Sequence, residues 1–352
     1  MIISKLTNYF LLNVQRALGI KNIKGYPYYS IIDPSNICQL QCTFCDGRAR
    51  PQVMMKFQDF KKIIDTIGKT CINLELYNWG EPFLNKDIIR MINYASQTYS
   101  VYTRISSNLN VLNDEFYRDL VLSELNSLTI SLDGASQETY TNYRVNGSFD
   151  RVINNIKLIV QYKKHYGKTE PKLVWQFLVF RHNEHEIETA KRMAKELSVN
   201  EIMFVKPHIP NEHKNWDSSI ERFSNFSSRG IGDKNNMSGK KNNSKCNWPY
   251  SSIAFNANLS VSPCCAVAKE EDDFGHFNDG RFSDVWNTNK FKFAREYVSR
   301  NITIKDSDNV CARCEMKGSI NFAPNFFQML YYSIPQLRML YMKLNRFKIS
   351  TF

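Results

Sequence analysis

From residue 28 to about 206 the chain alternates two kinds of apolar pattern. Short runs rich in β-branched and aromatic residues read as strands: YYSIID (28–33), INLELYN (72–78), SVYTRIS (100–106), SLTISL (127–132), KLVWQFLVF (172–180) and EIMFVK (201–206). Between them, FQDFKKIIDTIGK, KDIIRMINYASQ, NDEFYRDLVLSEL, SFDRVINNIKLIVQYKKH and HEIETAKRMAKEL carry apolar positions at helical spacing. Six β-α repeats predict a parallel sheet with helices outside, either doubly wound or a partial barrel. In such folds chemistry gathers at the C-terminal ends of the strands.

The pattern breaks elsewhere. Residues 1–27 form an N-terminal extension ahead of the repeats of 28–210. Residues 211–245 are rich in Asn, Ser, Lys and Gly and poor in aliphatics, which predicts a polar linker or lid. Residues 246–320 combine short strands and turns with five of the nine cysteines. The tail, 321–352, is aromatic, basic and roughly amphipathic, with Pro335 as a kink or helix start. It is expected to pack on the domain or to touch a membrane surface peripherally.

Composition narrows the classes. The chain has 352 residues, 43% of them hydrophobic, enough for a substantial core. Forty-six Lys and Arg against 34 Asp and Glu leave a formal charge of +12, which favours an anionic substrate, a nucleic acid or a membrane surface. The first twenty residues lack the cleavage site and apolar run of a signal peptide, and no stretch has the roughly 18 apolar residues of a membrane span. A cytoplasmic location follows as an expectation, and there cysteines read as ligands or catalytic groups before disulfides.

The first cysteines, Cys38, Cys42 and Cys45 in NICQLQCTFC, follow the first strand directly. A tetrahedral zinc site needs four ligands, and the first histidine is His165. Three thiolates suit a [4Fe–4S] cluster with one iron open to a ligand. Zinc with a distant fourth ligand, or three unrelated thiols, are the alternatives. Downstream, Cys246, Cys264, Cys265, Cys311 and Cys314 admit a zinc ribbon or a second, fully ligated cluster. Cys71 precedes a strand and reads as a buried thiol.

CxxxCxxC with Phe44 before its last cysteine resembles the radical S-adenosylmethionine (SAM) superfamily. The resemblance extends to NWGEP (78–82), similar to that family's GGEP segment, with Trp79 in place of the first glycine. It extends also to SSNLN (106–110), with Leu109 where a glycine is usual, and to SLDGASQETYTNYR (131–144). It implies a partial (β/α)6 TIM-like barrel in which Cys38, Cys42 and Cys45 hold a [4Fe–4S] cluster and the open iron binds SAM. Phe44, Gly80, Glu81, Pro82, Asn108, Ser131, Asp133 and Arg144 would line the SAM site. Glu81 would face the SAM ammonium, and Ser131 and Arg144 its carboxylate. Asp133 would reach a ribose or substrate hydroxyl.

The later cysteines resemble a small C-terminal twitch domain, the truncated SPASM form, as in an aminocyclitol dehydrogenase. GRFSDVWNT (280–288) resembles the segment that precedes the last cysteine pair in such domains. The implied ligands of one auxiliary [4Fe–4S] cluster are Cys246, Cys264, Cys311 and Cys314, with Cys265 left as a candidate catalytic hydrogen donor. The expected chemistry is reductive cleavage of SAM and hydrogen abstraction. The expected outcome is oxidation of a secondary alcohol in a sugar or cyclitol-like molecule. Alternatives are a radical epimerase of a sugar or amino acid, or a peptide maturase. Only 37 residues precede Cys38, fewer than the leader-binding domain that maturases often carry, which lowers the peptide reading. An electron donor such as flavodoxin or ferredoxin is implied. A nucleic-acid partner is not expected, since no RNA-binding signature accompanies the charge. His208 and His213, just past the sixth strand, could touch substrate.

Overall fold

The computed structural model describes residues 1–111, 114–226, 246–278, 281–300, 308–314, 325–344 and 347–351. In chain order, the first elements are α1 (Ile2–Ala17), β1 (Tyr29–Ile32), α2 (Phe57–Ile67), β2 (Asn73–Glu75), α3 (Ile88–Tyr99) and β3 (Tyr102–Ser107). They continue with α4 (Asp114–Leu122), β4 (Ser127–Ser131), α5 (Gln137–Tyr143), α6 (Phe149–His165), β5 (Lys172–Leu178), α7 (Ile187–Glu196) and β6 (Glu201–Val205). The C-terminal part holds α8 (Trp248–Ser251), β7 (Ser252–Phe255), β8 (Ser260–Ser262), β9 (Gly275–His276), α9 (Phe282–Trp286) and α10 (Asn289–Arg300). Last come α11 (Phe326–Ser333), α12 (Pro335–Leu344) and β10 (Lys348–Thr351).

Two compact units result. The first comprises Met1–Ile37, Asp46–Arg104 and Asn242–Arg338, the second Cys38–Cys45, Ile105–Lys241 and Met339–Phe352. In the first unit the strands run in the order β3–β2–β1–β7–β8–β9, parallel as far as β7 and antiparallel beyond it. In the second the order is β10–β6–β5–β4, all parallel. β3 begins in one unit and ends in the other. The expected α/β repeat is therefore present, and in neither unit do the described strands close into a ring.

The local reasons are those the sequence suggests. The four residues of β1 are all buried, as a parallel strand covered on both faces requires. α2 buries Phe57, Phe60, Ile63, Ile64 and Ile67, an i, i+3, i+4, i+7 stripe. Ser136 and Ser148 cap α5 and α6 by accepting from Thr139 and Arg151 backbone N–H groups. Pro335 opens α12, so it is a helix start rather than a kink.

Three features add to the expectation. The N-terminal extension folds as the 16-residue helix α1. The cysteine-bearing C-terminal segment continues the sheet, since β7 pairs with β1 from Tyr29↔Ser252 to Ile32↔Phe255. The tail ends in a strand, with β10 pairing along β6. No described helix is long and apolar enough to cross a membrane. Residues 227–245 of the linker, 279–280, 301–307 and 315–320 of the cysteine segment, and 321–324, 345–346 and 352 of the tail lie outside the described residues.

Candidate functional site

The second unit carries the loop Cys38–Cys45. Its shape is set by backbone pairing with the turn after α5: Gln41 N donates to Val145 O (3.0 Å) and Thr43 N to Tyr143 O (3.3 Å). Cys45 N donates back to Cys42 O (3.2 Å), which draws the last two cysteines into one turn. None of the three is in a disulfide; Cys38 and Cys42 are half-buried and Cys45 is exposed. Two side-chain donors point at the sulfurs. Asn108 Nδ2 lies 3.6 Å from Cys38 Sγ and Arg144 Nη1 lies 3.6 Å from Cys42 Sγ. Burial raises the Cys42 pKa, and Arg144 opposes that rise.

Asn108 stands past the end of β3, in the turn where a glycine was expected. Leu109 takes the left-handed conformation such a glycine would adopt, at φ 54°. The turn is held by Leu109 N to Ser107 Oγ (2.9 Å) and Asn110 N to Asn108 Oδ1 (2.9 Å), and the Leu109 side chain is fully buried. Apolar burial thus offsets a strained backbone that Gly would adopt freely.

Arg144 is held from behind. Its Nε donates to Asp133 Oδ2 at 2.6 Å, and Asp133 Oδ1 accepts from Leu178 N at 2.7 Å. Asp133 is buried, and each of its oxygens accepts one of these two bonds. Burial works most strongly against the Arg144 charge, but Asp133, Cys42, Tyr143 and Tyr140 together outweigh it and raise its pKa. Ser131 shares a hydrogen bond with Ser106 (3.3 Å). Phe44 sits among aromatic rings, with centroids of His213 at 4.7 Å, Trp216 at 5.0 Å, Tyr143 at 5.7 Å and Phe180 at 6.1 Å. His213 therefore belongs to an aromatic wall, whereas His208 is exposed. Trp216 and Tyr143 carried no sequence signal; they lie near Phe44 only through the fold.

The first unit carries the Asn78–Pro82 segment and the later cysteines. Gly80 leaves no room for a side chain: a Cβ there would stand 2.0 Å from Ser35 O. Glu81 N donates to Ile37 O (2.9 Å), and its carboxylate accepts from Phe83 N (3.1 Å), capping the short 3-10 turn Pro82–Leu84. Trp79 N donates to the buried carboxylate of Asp33 (3.3 Å), whose pKa burial raises to about 7 against the opposing pull of the Trp79 N–H.

Of the later cysteines, Cys264 follows β8, while Cys311 and Cys314 sit on a turn anchored to α10 by Asn309 Nδ2 to Lys290 O (3.1 Å) and Tyr297 OH to Ala312 O (3.3 Å). Burial raises the pKa of Cys264 to about 12, with Cys246 and Cys314 adding to the rise. Burial likewise raises that of Cys311, and Cys264, Cys246 and Cys314 add to it. Four thiols thus share one neighbourhood. Burial raises the pKa of Cys265 most, then Cys264 and then Glu75, and Cys265 in turn acts on Tyr77. Glu75 pairs with Arg104 at 3.0 Å and accepts from the Tyr29 and Tyr77 hydroxyls. This Glu75–Tyr77–Arg104 group was not visible in the sequence, because it depends on the register of β2 against β3. Cys71 is a fully buried thiol, as expected.

Among the described residues no three His, Cys, Asp or Glu side chains converge tightly enough for a single metal ion. The donor sets are thiols, the ligand chemistry of an iron–sulfur cluster: Cys38, Cys42 and Cys45 on one loop with N–H donors on Cys38 and Cys42, and four more in another neighbourhood. A family model described as the radical SAM superfamily matches residues 32–194, and one described as an iron–sulfur cluster-binding domain (SPASM) matches 246–315. The chain belongs to the radical SAM superfamily. This radical SAM enzyme is 27% identical over 176 residues to a probable GTP 3′,8-cyclase of Saccharolobus islandicus, a match of 49% of this chain and 55% of that one. It is 24% identical over 164 residues to an AdoMet-dependent heme synthase of Methanosarcina barkeri, a match of 46% and 45%. The chain thus spans about half the length of the curated relatives it matches. Its fold resembles that of Streptococcus suis SuiB bound to S-adenosylmethionine, with TM-score 0.59, 14% identity, and 77% and 68% of the two chains covered. Its cofactors are a [4Fe–4S] cluster, an auxiliary iron–sulfur cluster and SAM.

Proposed function

We propose that this enzyme takes a hydrogen atom from a carbinol carbon of a small polar substrate, a sugar or cyclitol-like molecule, and oxidises the alcohol to a carbonyl. The clusters and SAM, when bound, supply one-electron chemistry that ends in hydrogen abstraction from carbon. Cys38, Cys42 and Cys45 would hold the first cluster, and the Asn108 and Arg144 donors would temper the charge on its sulfurs. In the unit of the cysteine loop, the Arg144 guanidinium would meet the SAM carboxylate. Phe44 and its ring partners would keep that wall dry.

The observation that carries the reading is the partition of the later thiols. Cys246, Cys264, Cys311 and Cys314, whose thiols influence one another electrostatically, would make a complete ligand set that leaves no iron open to substrate. A fully ligated auxiliary cluster suits acceptance of the electron left after hydrogen abstraction.

One observation favours a second reading. Cys265 adjoins Cys264 in the chain and also feels Glu75, and burial raises its pKa, which favours the neutral S–H. A neutral thiol can return a hydrogen atom to a carbon radical, the outcome of which is epimerisation; the thiyl radical left on sulfur then takes one electron from the supplied reductant and a proton from solvent. Anaerobic turnover of candidate sugars, cyclitols and peptides with SAM and reductant in deuterated water separates the two. Oxidation yields a product lighter by two hydrogens and tolerates Cys265→Ala. Epimerisation yields a product carrying solvent deuterium and is abolished by that change. A modified peptide with no small-molecule product overturns both.

A further inference from the structure

The helix α1 is built inside out. The residues it buries are Lys5, Asn8, Leu12 and Gln15. Lys5 Nζ donates to Ser100 O (2.7 Å). Asn8 makes a reciprocal pair with the Tyr26 backbone (2.8 and 2.9 Å), and Gln15 does the same with Lys24 (2.8 and 2.6 Å). The opposite stripe is apolar and faces outward: Ile3 is 75% exposed, Phe10 53%, Val14 56% and Leu18 71%. An amphipathic helix of a globular domain has the reverse arrangement. α11 extends the surface. The Phe326 ring lies 6.1 Å from that of Phe10, and Phe327 is 80% exposed. An apolar surface of this kind marks an interaction site.

Charge says what covers it. Residues 1–32 contain Lys5, Arg16, Lys21 and Lys24 and no Asp or Glu. Residues 325–352 contain Arg338, Lys343, Arg346 and Lys348 and likewise no acid. In the unit that holds α1 and α11, Lys5 is buried and Lys21 pairs with Glu296, while Arg16 and Lys24 show no carboxylate partner among the described residues. Outward apolar side chains on a helix flanked by Arg16 and Lys24, in a segment without acidic residues, fit the interface of an anionic lipid bilayer. No described helix can cross one, so the contact lies along the surface.

We propose that α1 and α11 dock this enzyme on anionic membrane surfaces, with Ile3, Val14, Leu18 and Phe327 entering the headgroup layer. Flotation of the cluster-reconstituted full chain with vesicles tests it. The protein should float with phosphatidylcholine vesicles containing a third phosphatidylglycerol, and not with phosphatidylcholine alone. High salt should weaken the binding. The combined variant Ile3→Ser, Val14→Ser, Leu18→Ser, Phe327→Ser should bind at least about tenfold less. These side chains are mostly exposed, so its iron content and SAM cleavage should remain unchanged. Absence of flotation with the anionic vesicles, equal binding to neutral ones, or full binding by the variant overturns the proposal. A dimer seen by light scattering that the variant dissociates, with no vesicle binding, assigns the face to a second copy and also overturns it.

Discussion

Replacing Arg144 by Met tests the claim that Asp133 exists to hold that guanidinium. The two side chains are 14% and 0% exposed and meet at 2.6 Å. Met keeps the length of the side chain but leaves the buried Asp133 carboxylate with Leu178 N as its remaining hydrogen-bond donor of the two described. Breaking a buried pair from one side costs about 3–5 kcal/mol. At about 2 °C per kcal/mol for a chain of this size, the anaerobic melting temperature should fall by roughly 6–10 °C. The backbone bonds of Gln41 and Thr43 survive the substitution, so the cysteine loop should still bind iron. Adding Asp133→Asn removes the stranded charge while keeping an acceptor for Leu178, and should restore at least half the lost stability. SAM cleavage should stay impaired in both variants, because neither restores a cation near Cys42. A single variant that melts within about 2 °C of the parent, or a double variant no more stable than the single, would refute the reasoning.

Two further predictions concern the first unit. Gly80→Ala forces a methyl group to within 2.0 Å of Ser35 O, so the loop must move. A stability loss of about 1–3 kcal/mol in thermal melts, with weaker SAM binding in equilibrium dialysis, is expected; unchanged values for both would show that the loop is slack. Asp33 has its pKa raised, by burial, from 3.8 to about 7. The folded state then holds a proton the unfolded chain has released, so stability declines as pH rises from about 4 to 7 and is lowest above 7. Asp33→Asn should flatten that decline and gain on the order of 4 kcal/mol at pH 8. Parallel melting curves of the two proteins across pH 5–8 would contradict it.

The legible parts of this protein were local ones. Strand and helix positions followed from runs such as SLTISL and FQDFKKIIDTIGK, because periodicity is set within a few residues. The contiguous CxxxCxxC motif gave the first thiol group for the same reason. What stayed hidden depends on distant residues meeting. The Glu75–Arg104 pair exists because β2 and β3 align those two positions, and no spacing in the sequence states the register. In α1, tertiary hydrogen bonds to Ser100, Tyr26 and Lys24 turned the polar stripe inward, against the usual rule. β10 is too short to be read as a strand without β6 beside it.

The account rests on two distinct thiol groups serving different ends. The direct test compares anaerobically reconstituted wild type with the triple variant Cys38→Ala, Cys42→Ala, Cys45→Ala, measuring iron, acid-labile sulfide and 5′-deoxyadenosine formed from SAM under reductant. Wild type should hold about eight irons and eight sulfides and cleave SAM; the variant should hold about four of each and form no 5′-deoxyadenosine. Zinc in place of iron in the wild type, or SAM cleavage that persists in the triple variant, would contradict the account.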